Sequence, residues 1–184
     1  MKIGLILLAA GLSRRFGSEN KLLHQVDGKA LYCHALERLE SLQGEDISLV
    51  VVTNTPEISA VCQQKGITAV PSPQAAQGIS YSIRAGLQAL PEVDAAVFFV
   101  ADQPGLRLQT IRRFLRSCED HQAPLGCLAG PDGWGNPGWF SSAFFPQLQA
   151  LEGDQGGRRI LKAYSELVWT VEADPAELVD LDQP

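Results

Sequence analysis

The sequence predicts an α/β protein with a doubly wound, mostly parallel sheet flanked by helices and a looser C-terminal half. Two observations carry this prediction. As far as residue 123, apolar runs of strand length alternate with stretches of helical period. The strand-length runs are also continuously apolar, as strands covered on both faces must be.

The elements follow in order. "KIGLILLAA" is the first buried strand. A polar loop leads to "ALYCHALERLESLQ", in which Leu31, Ala35, Leu36 and Leu39 fall on one helical face. "ISLVVVT" is the second buried strand, and "EISAVCQQKG" a helix stopped by Gly66. "ITAV" is a short strand, "SYSIRAGLQAL" a helix ended by Pro91, and "AAVFFVAD" another buried strand. "LQTIRRFLRSCED" is an amphipathic helix. Then the pattern loosens. "APLGCLAGPDGWGNPGWFS" holds five glycines, three prolines and two tryptophans, which suits strand and turn. "SAFFPQLQALEG" and "QGGRRILKAYSEL" read as partly helical, and "VWTVEA" as a last strand. No repeat, low-complexity tract or linker interrupts the chain, so one domain over 1–184 is expected.

Composition narrows the function. Fifteen basic against twenty-one acidic residues give a net charge of -6, which argues against a general nucleic-acid binder. Cys33, Cys62, Cys118 and Cys127 form no CxxC pair, and His24, His34 and His121 are scattered, so zinc-ligand spacing is missing. Reduced, mostly buried thiols in a cytoplasmic protein are expected. The N-terminal apolar run ends in a charged loop, and no run reaches the ~18 residues of a membrane span.

The first strand ends in a loop framed by Gly11 and Gly17. It fits neither GxxxxGK[ST] nor GxGxxG. It still places Ser13, Arg14, Arg15 and Lys21 just beyond a strand and a glycine turn. Glycine lets backbone N–H groups approach an anion, and the cations neutralise phosphate charge. A solvated loop with ordinary surface charges fits the same residues. Asp102 lies where "AAVFFVADQP" leaves its strand, a position suited to holding Mg²⁺ against a phosphate. A turn or helix-capping aspartate is the alternative. In "LVDLDQP", Asp180 and Asp182 alternate with apolar residues and share one side of an extended segment, unless the tail is frayed.

Taken together, these stretches resemble the MobA-like nucleotidyltransferases. "LAAGLSRRFGSENKLL" is similar to that family's signature LAAGxSxRxGxxKxLL, and "GISYSIRAGL" to its GxSxSIxxGL. "ADQP", "GNPGWF", "LEGDQGGRRIL" and "VDLDQP" resemble its later motifs, in order. The branch it most resembles is the molybdenum cofactor cytidylyltransferases, because Ala9-Ala10-Gly11 stands where the guanylyltransferases carry Ala-Gly-Gly. Phe16, Gly157 and Gly138-Trp139 depart from the common pattern.

The resemblance implies a Rossmann-like fold of the nucleotide-diphospho-sugar transferase kind. It implies transfer of CMP from CTP to molybdopterin cofactor, with Mg²⁺ and release of pyrophosphate. Arg15, Lys21 and Asp102 would be catalytic. Ala9, Ala10, Gly11, Arg15, Lys21, Gly78, Ser82 and Asp102 would bind the nucleotide, unless Ser82 instead caps a helix. Asn136, Asp154 and Arg158 would face the acceptor. Asp102 and Asp180 would hold the metal, with Asp182 in reserve. The implied partners are CTP, molybdopterin and a recipient molybdoenzyme, with no nucleic acid and no membrane. Another phosphorylated acceptor, GTP as donor, or a non-catalytic molybdopterin carrier are the rival readings. Trp134 and Trp139 are expected in the core.

Overall fold

The computed structural model describes residues 1–11 and 19–181. Nine strands and six α-helices are assigned among them. The strands are β1 (Ile3–Ala9), β2 (Gln25–Val26), β3 (Lys29–Ala30), β4 (Ile47–Thr53), β5 (Thr68–Val70), β6 (Ala95–Val100), β7 (Leu125–Gly130), β8 (Gly133–Ser141) and β9 (Val168–Glu172). The helices are α1 (Leu31–Glu40), α2 (Pro56–Lys65), α3 (Ile79–Ala89), α4 (Leu108–Asp120), α5 (Phe145–Gln149) and α6 (Gly157–Ala163).

The seven-stranded sheet has the order β5-β4-β1-β6-β8-β7-β9. β1 pairs in parallel with β4 on one side and β6 on the other. β8 alone runs against its neighbours, since both its pairings are antiparallel. The expected mostly parallel, doubly wound sheet is therefore what forms. Each continuously apolar run becomes an interior strand because helices cover both of its faces. Odd residues of β1 (Ile3, Leu5, Leu7, Ala9) join the apolar cluster with α1, α2 and α4. Ile6 and Ala10 join the opposite cluster with α3, α5 and α6. The period of two along β1 thus feeds two separate cores.

Helix ends follow local chemistry. Pro56 opens α2, and Gly66 ends it with φ 69°, a left-handed conformation that suits glycine. α4 spans the residues expected of it. One element was unforeseen in the polar loop: β2 and β3 form a small hairpin. Its turn residues Asp27 (φ 49°) and Gly28 (φ 85°) are both left-handed, as a two-residue turn of this kind requires.

The tryptophans divide. Trp139 is 1% exposed and donates its Nε1 hydrogen to the Ala123 carbonyl at 2.9 Å, as expected of a core residue. Trp134 is half-buried and lines a pocket instead. Cys62, Cys118 and Cys127 are buried free thiols, and Cys33 is partly exposed. Among the described residues no helix is long and apolar enough to cross a membrane.

α3 lies close on the sheet because residue 86 has no side chain. A Cβ there would stand 2.6 Å from Ile6 Cγ2 and 3.0 Å from Val52 Cγ2, both on fully buried side chains. Alanine favours a helix by about 0.8–1 kcal/mol over glycine, but overpacking costs about 1–3 kcal/mol. Gly86→Ala should therefore lower stability by roughly 1–2 kcal/mol, read from the urea midpoint. An unchanged or higher midpoint would show that the sheet yields there.

Candidate active site

Strand order reverses between β1 and β6. The chain runs outward from β1 to β4 and β5, then returns to β6 on the other side. Ligands of open α/β sheets bind in the crevice beyond the strand ends at such a reversal. Gly11, just after β1, and Asp102, just after β6, border this crevice. They line one pocket of ≈ 430 Å³ together with Ala10, Lys21, Ser82 and Asp154.

Lys21 reaches the crevice from a single 3₁₀ turn, Lys21–Leu23. Asn20 fixes that turn: its Oδ1 accepts the Leu22 amide at 3.0 Å, and its Nδ2 donates to Thr55 Oγ1 at 2.9 Å. Asn20 was missed at the sequence level, although asparagine's habit of closing turns through its own side chain was the available signal. Lys21 Nζ donates to Asp102 Oδ2 at 2.7 Å and to the Leu181 carbonyl at 3.2 Å. Both charged side chains are 19% exposed. The solvated-loop reading fails for Lys21, whose ammonium is drawn inward onto a carboxylate.

The other nucleotide-site candidates fall in different places. Ala10 is buried and lines the pocket. Ala9 belongs to the opposite core, so its side chain faces away from the pocket and its backbone is what remains for binding. Ser82 sits within the first turn of α3 and caps nothing; Gly78 holds the cap position. The Ser82 hydroxyl donates to Ser72 Oγ at 3.1 Å. Ser72 and Asn54 bond reciprocally at 2.8 Å, which ties the end of β4 to the same wall. Gly78 has φ 137°, and a Cβ there would stand 2.1 Å from the Gly153 backbone. It is the close approach of two chain segments that requires glycine at this position. Arg15 and Asp182 lie outside the described residues, as do Ser13, Arg14 and Gly17.

A second pocket of ≈ 200 Å³ adjoins the first and shares Leu8, Ile79 and Val100 with it. It contains Asn136 and Arg158 beside Phe98, Trp134 and Phe140. Asn136 enters it through a bulge: Cys127 pairs with Gly138 and Leu128 with Gly135, so residues 136 and 137 are passed over in the register. Arg158 lines this pocket and Arg159 does not, as helical spacing within α6 leads one to expect. Gly157 also has a local cause, because a Cβ there would meet Phe140 Cζ at 2.6 Å.

Asp154 lies apart from the two residues it was expected to accompany. It was grouped with Asn136 and Arg158, but it lines the Lys21–Asp102 pocket. The Gly78–Gly153 approach and the Ser80 amide bond to the Gly153 carbonyl (3.1 Å) draw its turn against the start of α3.

The tail is docked through residue 181, so the frayed alternative fails for Asp180. The Leu181 amide donates to the Asp102 carbonyl at 2.8 Å. Glu177, 3% exposed, accepts from the Arg107 amide at 3.0 Å and from its Nη2 at 3.2 Å. Hydrogen bonds from Arg107 and Thr110 hold the Glu177 carboxyl down at about 2, against the opposing pull of burial. Burial pushes the Cys118 and Cys127 thiols up to about 12, so neither is a thiolate near neutral pH. Among the described residues no three His, Cys, Asp or Glu side chains cluster as a metal site would.

The sequence profile of the MobA-like NTP transferase domain matches residues 5–168. The purine catabolism protein PucB of Bacillus subtilis strain 168 is 28% identical over 190 residues, covering 97% of this chain and 91% of PucB. The bifunctional protein GlmU of Corynebacterium aurimucosum is 33% identical over 128 residues, covering 66% of this chain but only 25% of GlmU. The crystal structure of Rv0371c from Mycobacterium tuberculosis superposes with TM-score 0.81 at 23% identity, covering 100% of this chain and 94% of that one. Its manganese complex gives TM-score 0.77 at 23% identity over 99% and 94% of the two chains.

The tail clamp has a pH signature. The depressed Glu177 carboxyl adds stability that is full above its unfolded value near 4.5 and is lost as pH falls toward about 2. Arg107 and Arg38 keep their charge across that window. Glu177→Gln should cost about 3 kcal/mol at pH 7, and the gap to wild type should close between pH 4.5 and 2. Urea titrations at several pH values check this; a pH-independent gap would contradict it.

The strand order, the crevice between β1 and β6 and the profile match over residues 5–168 agree that this chain belongs to the MobA-like NTP transferase family, with the nucleotide-diphospho-sugar transferase fold.

Proposed function

We propose that the protein transfers CMP from CTP to molybdopterin cofactor and releases pyrophosphate. One observation carries the reading. A lysine and a carboxylate meet at the strand reversal, in a pocket that adjoins a second, aromatic-walled one. The first suits a triphosphate and the second a flat acceptor with a phosphate near Arg158.

The chemistry asks little of the protein beyond placement. An acceptor phosphate oxygen, ionised at neutral pH, attacks the α-phosphorus of CTP. The bond from that phosphorus to the bridging oxygen breaks, and the electron pair leaves on pyrophosphate. No side chain need be activated as a nucleophile, in keeping with the raised Cys118 and Cys127 thiols. Lys21 and Arg15 take the phosphate charge, and backbone N–H groups near Gly11 assist. Ala9 contributes through its backbone; Ala10, Gly78 and Ser82 shape the base and ribose side. Asn136 and Arg158 orient the acceptor. Asp154 stands on the nucleotide side of the boundary between the pockets.

The donor set suits a divalent cation. Asp102 Oδ2 and the Leu181 carbonyl already converge on the Lys21 ammonium, and both are hard oxygens. Mg²⁺ takes one or two carboxylates and completes its shell with phosphate and water. Asp102 would hold it with Asp180, or with Asp182. When bound, the cation neutralises charge on the α-phosphate and the departing pyrophosphate. The manganese complex of Rv0371c supports the choice of a divalent ion.

Base choice rests on the Ala10 methyl, which narrows the pocket against a purine. The test is pyrophosphate release with CTP, GTP and ATP, each with Mg²⁺ and molybdopterin. CTP should turn over about tenfold or more faster than GTP, the scale of a methyl-sized steric difference. Equal or faster turnover with GTP rejects the donor assignment. Release only with a sugar phosphate in place of molybdopterin rejects the acceptor.

Asp102→Asn should lower turnover by about 10²–10³, the usual loss when a group stabilising transition-state charge is removed. Its unfolding midpoint should move little beside that. Near-normal turnover removes Asp102 from the site.

A further inference from the structure

Resting on that reading, we propose that Glu177 is a positioning residue for Asp102, acting through a C-terminal strap that fixes the loop carrying the carboxylate. The loop runs from Ala101 to Arg107, between β6 and α4, and has no regular structure of its own. A carboxylate on such a loop keeps its place only if something outside the loop holds it.

The strap, residues 173–181, makes that contact at three points. At the near end the Leu181 amide bonds the Asp102 carbonyl at 2.8 Å. In the middle Gly105 packs against the strap so closely that a Cβ would stand 2.7 Å from the Ala176 carbonyl oxygen. At the far end Glu177 accepts from the Arg107 amide, at the cap position of α4, and from its guanidinium. Outside the loop's reach the strap is seated by the Ala173 amide on the Ala129 carbonyl (3.0 Å) and by Leu178 against Gly130 and Gly135. Arg38 adds a fourth hold from below, donating to the Pro104 carbonyl at 2.8 Å.

Glu177 is the keystone because of its burial. Asp174 and Asp180 on the same strap are exposed, whereas Glu177 is buried and bonded at both oxygens. A buried carboxylate that loses its partners is costly, so strap and loop hold one register or separate together. The same register delivers the Leu181 carbonyl to Lys21 Nζ. Glu177 touches neither pocket, and it sets the relation between the two charged groups that do.

The test separates positioning from mere stability. Mn²⁺ is titrated into wild type, Glu177→Gln and Glu177→Ala in the presence of CTP and without acceptor. Bound ion is followed by electron paramagnetic resonance, below the unfolding range of each variant. Amide exchange is read at Leu181 and, as a core control, at Ile6. In Glu177→Ala, Mn²⁺ affinity should fall about 10–100-fold, the range typical of losing a partner behind a metal ligand. Leu181 exchange should rise while Ile6 stays protected. Glu177→Gln should lie between, since its amide oxygen still accepts from the Arg107 N–H; it also serves if the alanine variant does not fold.

Wild-type Mn²⁺ affinity in both variants overturns the proposal. So does parallel loss of protection at Ile6, which makes Glu177 a stability residue only. Retained Mn²⁺·CTP binding with no pyrophosphate release on molybdopterin leaves the strap standing and rejects the acceptor. A wild type that binds no Mn²⁺ with CTP rejects both.

Discussion

The ion pair between Lys21 and Asp102 organises the crevice of this protein. It joins the segment that follows β1 to the segment that follows β6, across the point where strand order reverses. With both side chains largely shielded, removing one partner leaves the other poorly compensated. Such a pair is a modest source of stability and a strong constraint on geometry. On the proposed reading it is also exchangeable: a triphosphate can replace the carboxylate at the ammonium, and a divalent cation can replace the ammonium at the carboxylate. Each charge then keeps a partner, so nucleotide and metal are expected to bind together better than singly.

The fold exists to hold that pair. Two apolar cores, one on each face of the sheet, fix β1 and β6 side by side from Ile3–Ala95 to Leu8–Val100. The two pockets meet over Leu8, Ile79 and Val100, so donor and acceptor would share a wall, which favours in-line displacement. Close approaches at Gly78, Gly86 and Gly157 set where α3 and α6 lie, and with them the size of both pockets.

Much of this was legible in the sequence, for reasons that differ by residue. The interior strands announced themselves because parallel strands are buried on both faces, and α4 because its apolar stripe has a clean helical period. Gly66 and Pro91 marked helix ends through their backbone preferences. Lys21 and Asp102 stood just beyond apolar strands, where local pattern and crevice coincide, whereas Asn136 lies inside β8 at a bulge that no periodicity marks. What was not legible depends on contacts between distant segments. Asp154 joins the Lys21 pocket only because Gly78 meets Gly153. The tail is docked because its amide finds the Asp102 carbonyl and Glu177 finds Arg107, and no periodicity encodes either. Ala9 and Ala10 look alike in sequence, yet the period of two sends one methyl to each core. The β2–β3 hairpin was hidden by its two-residue strands, although Asp27-Gly28 is a fair turn signal.

The central claim is that Lys21 and Asp102 trade each other for phosphate and metal. A crystal structure with a non-hydrolysable CTP analogue and Mn²⁺ tests it most directly. The account predicts Lys21 Nζ on a phosphate oxygen, an Asp102 oxygen on the metal, and the 2.7 Å bond between them broken. A nucleotide bound elsewhere, with that bond intact, would contradict it.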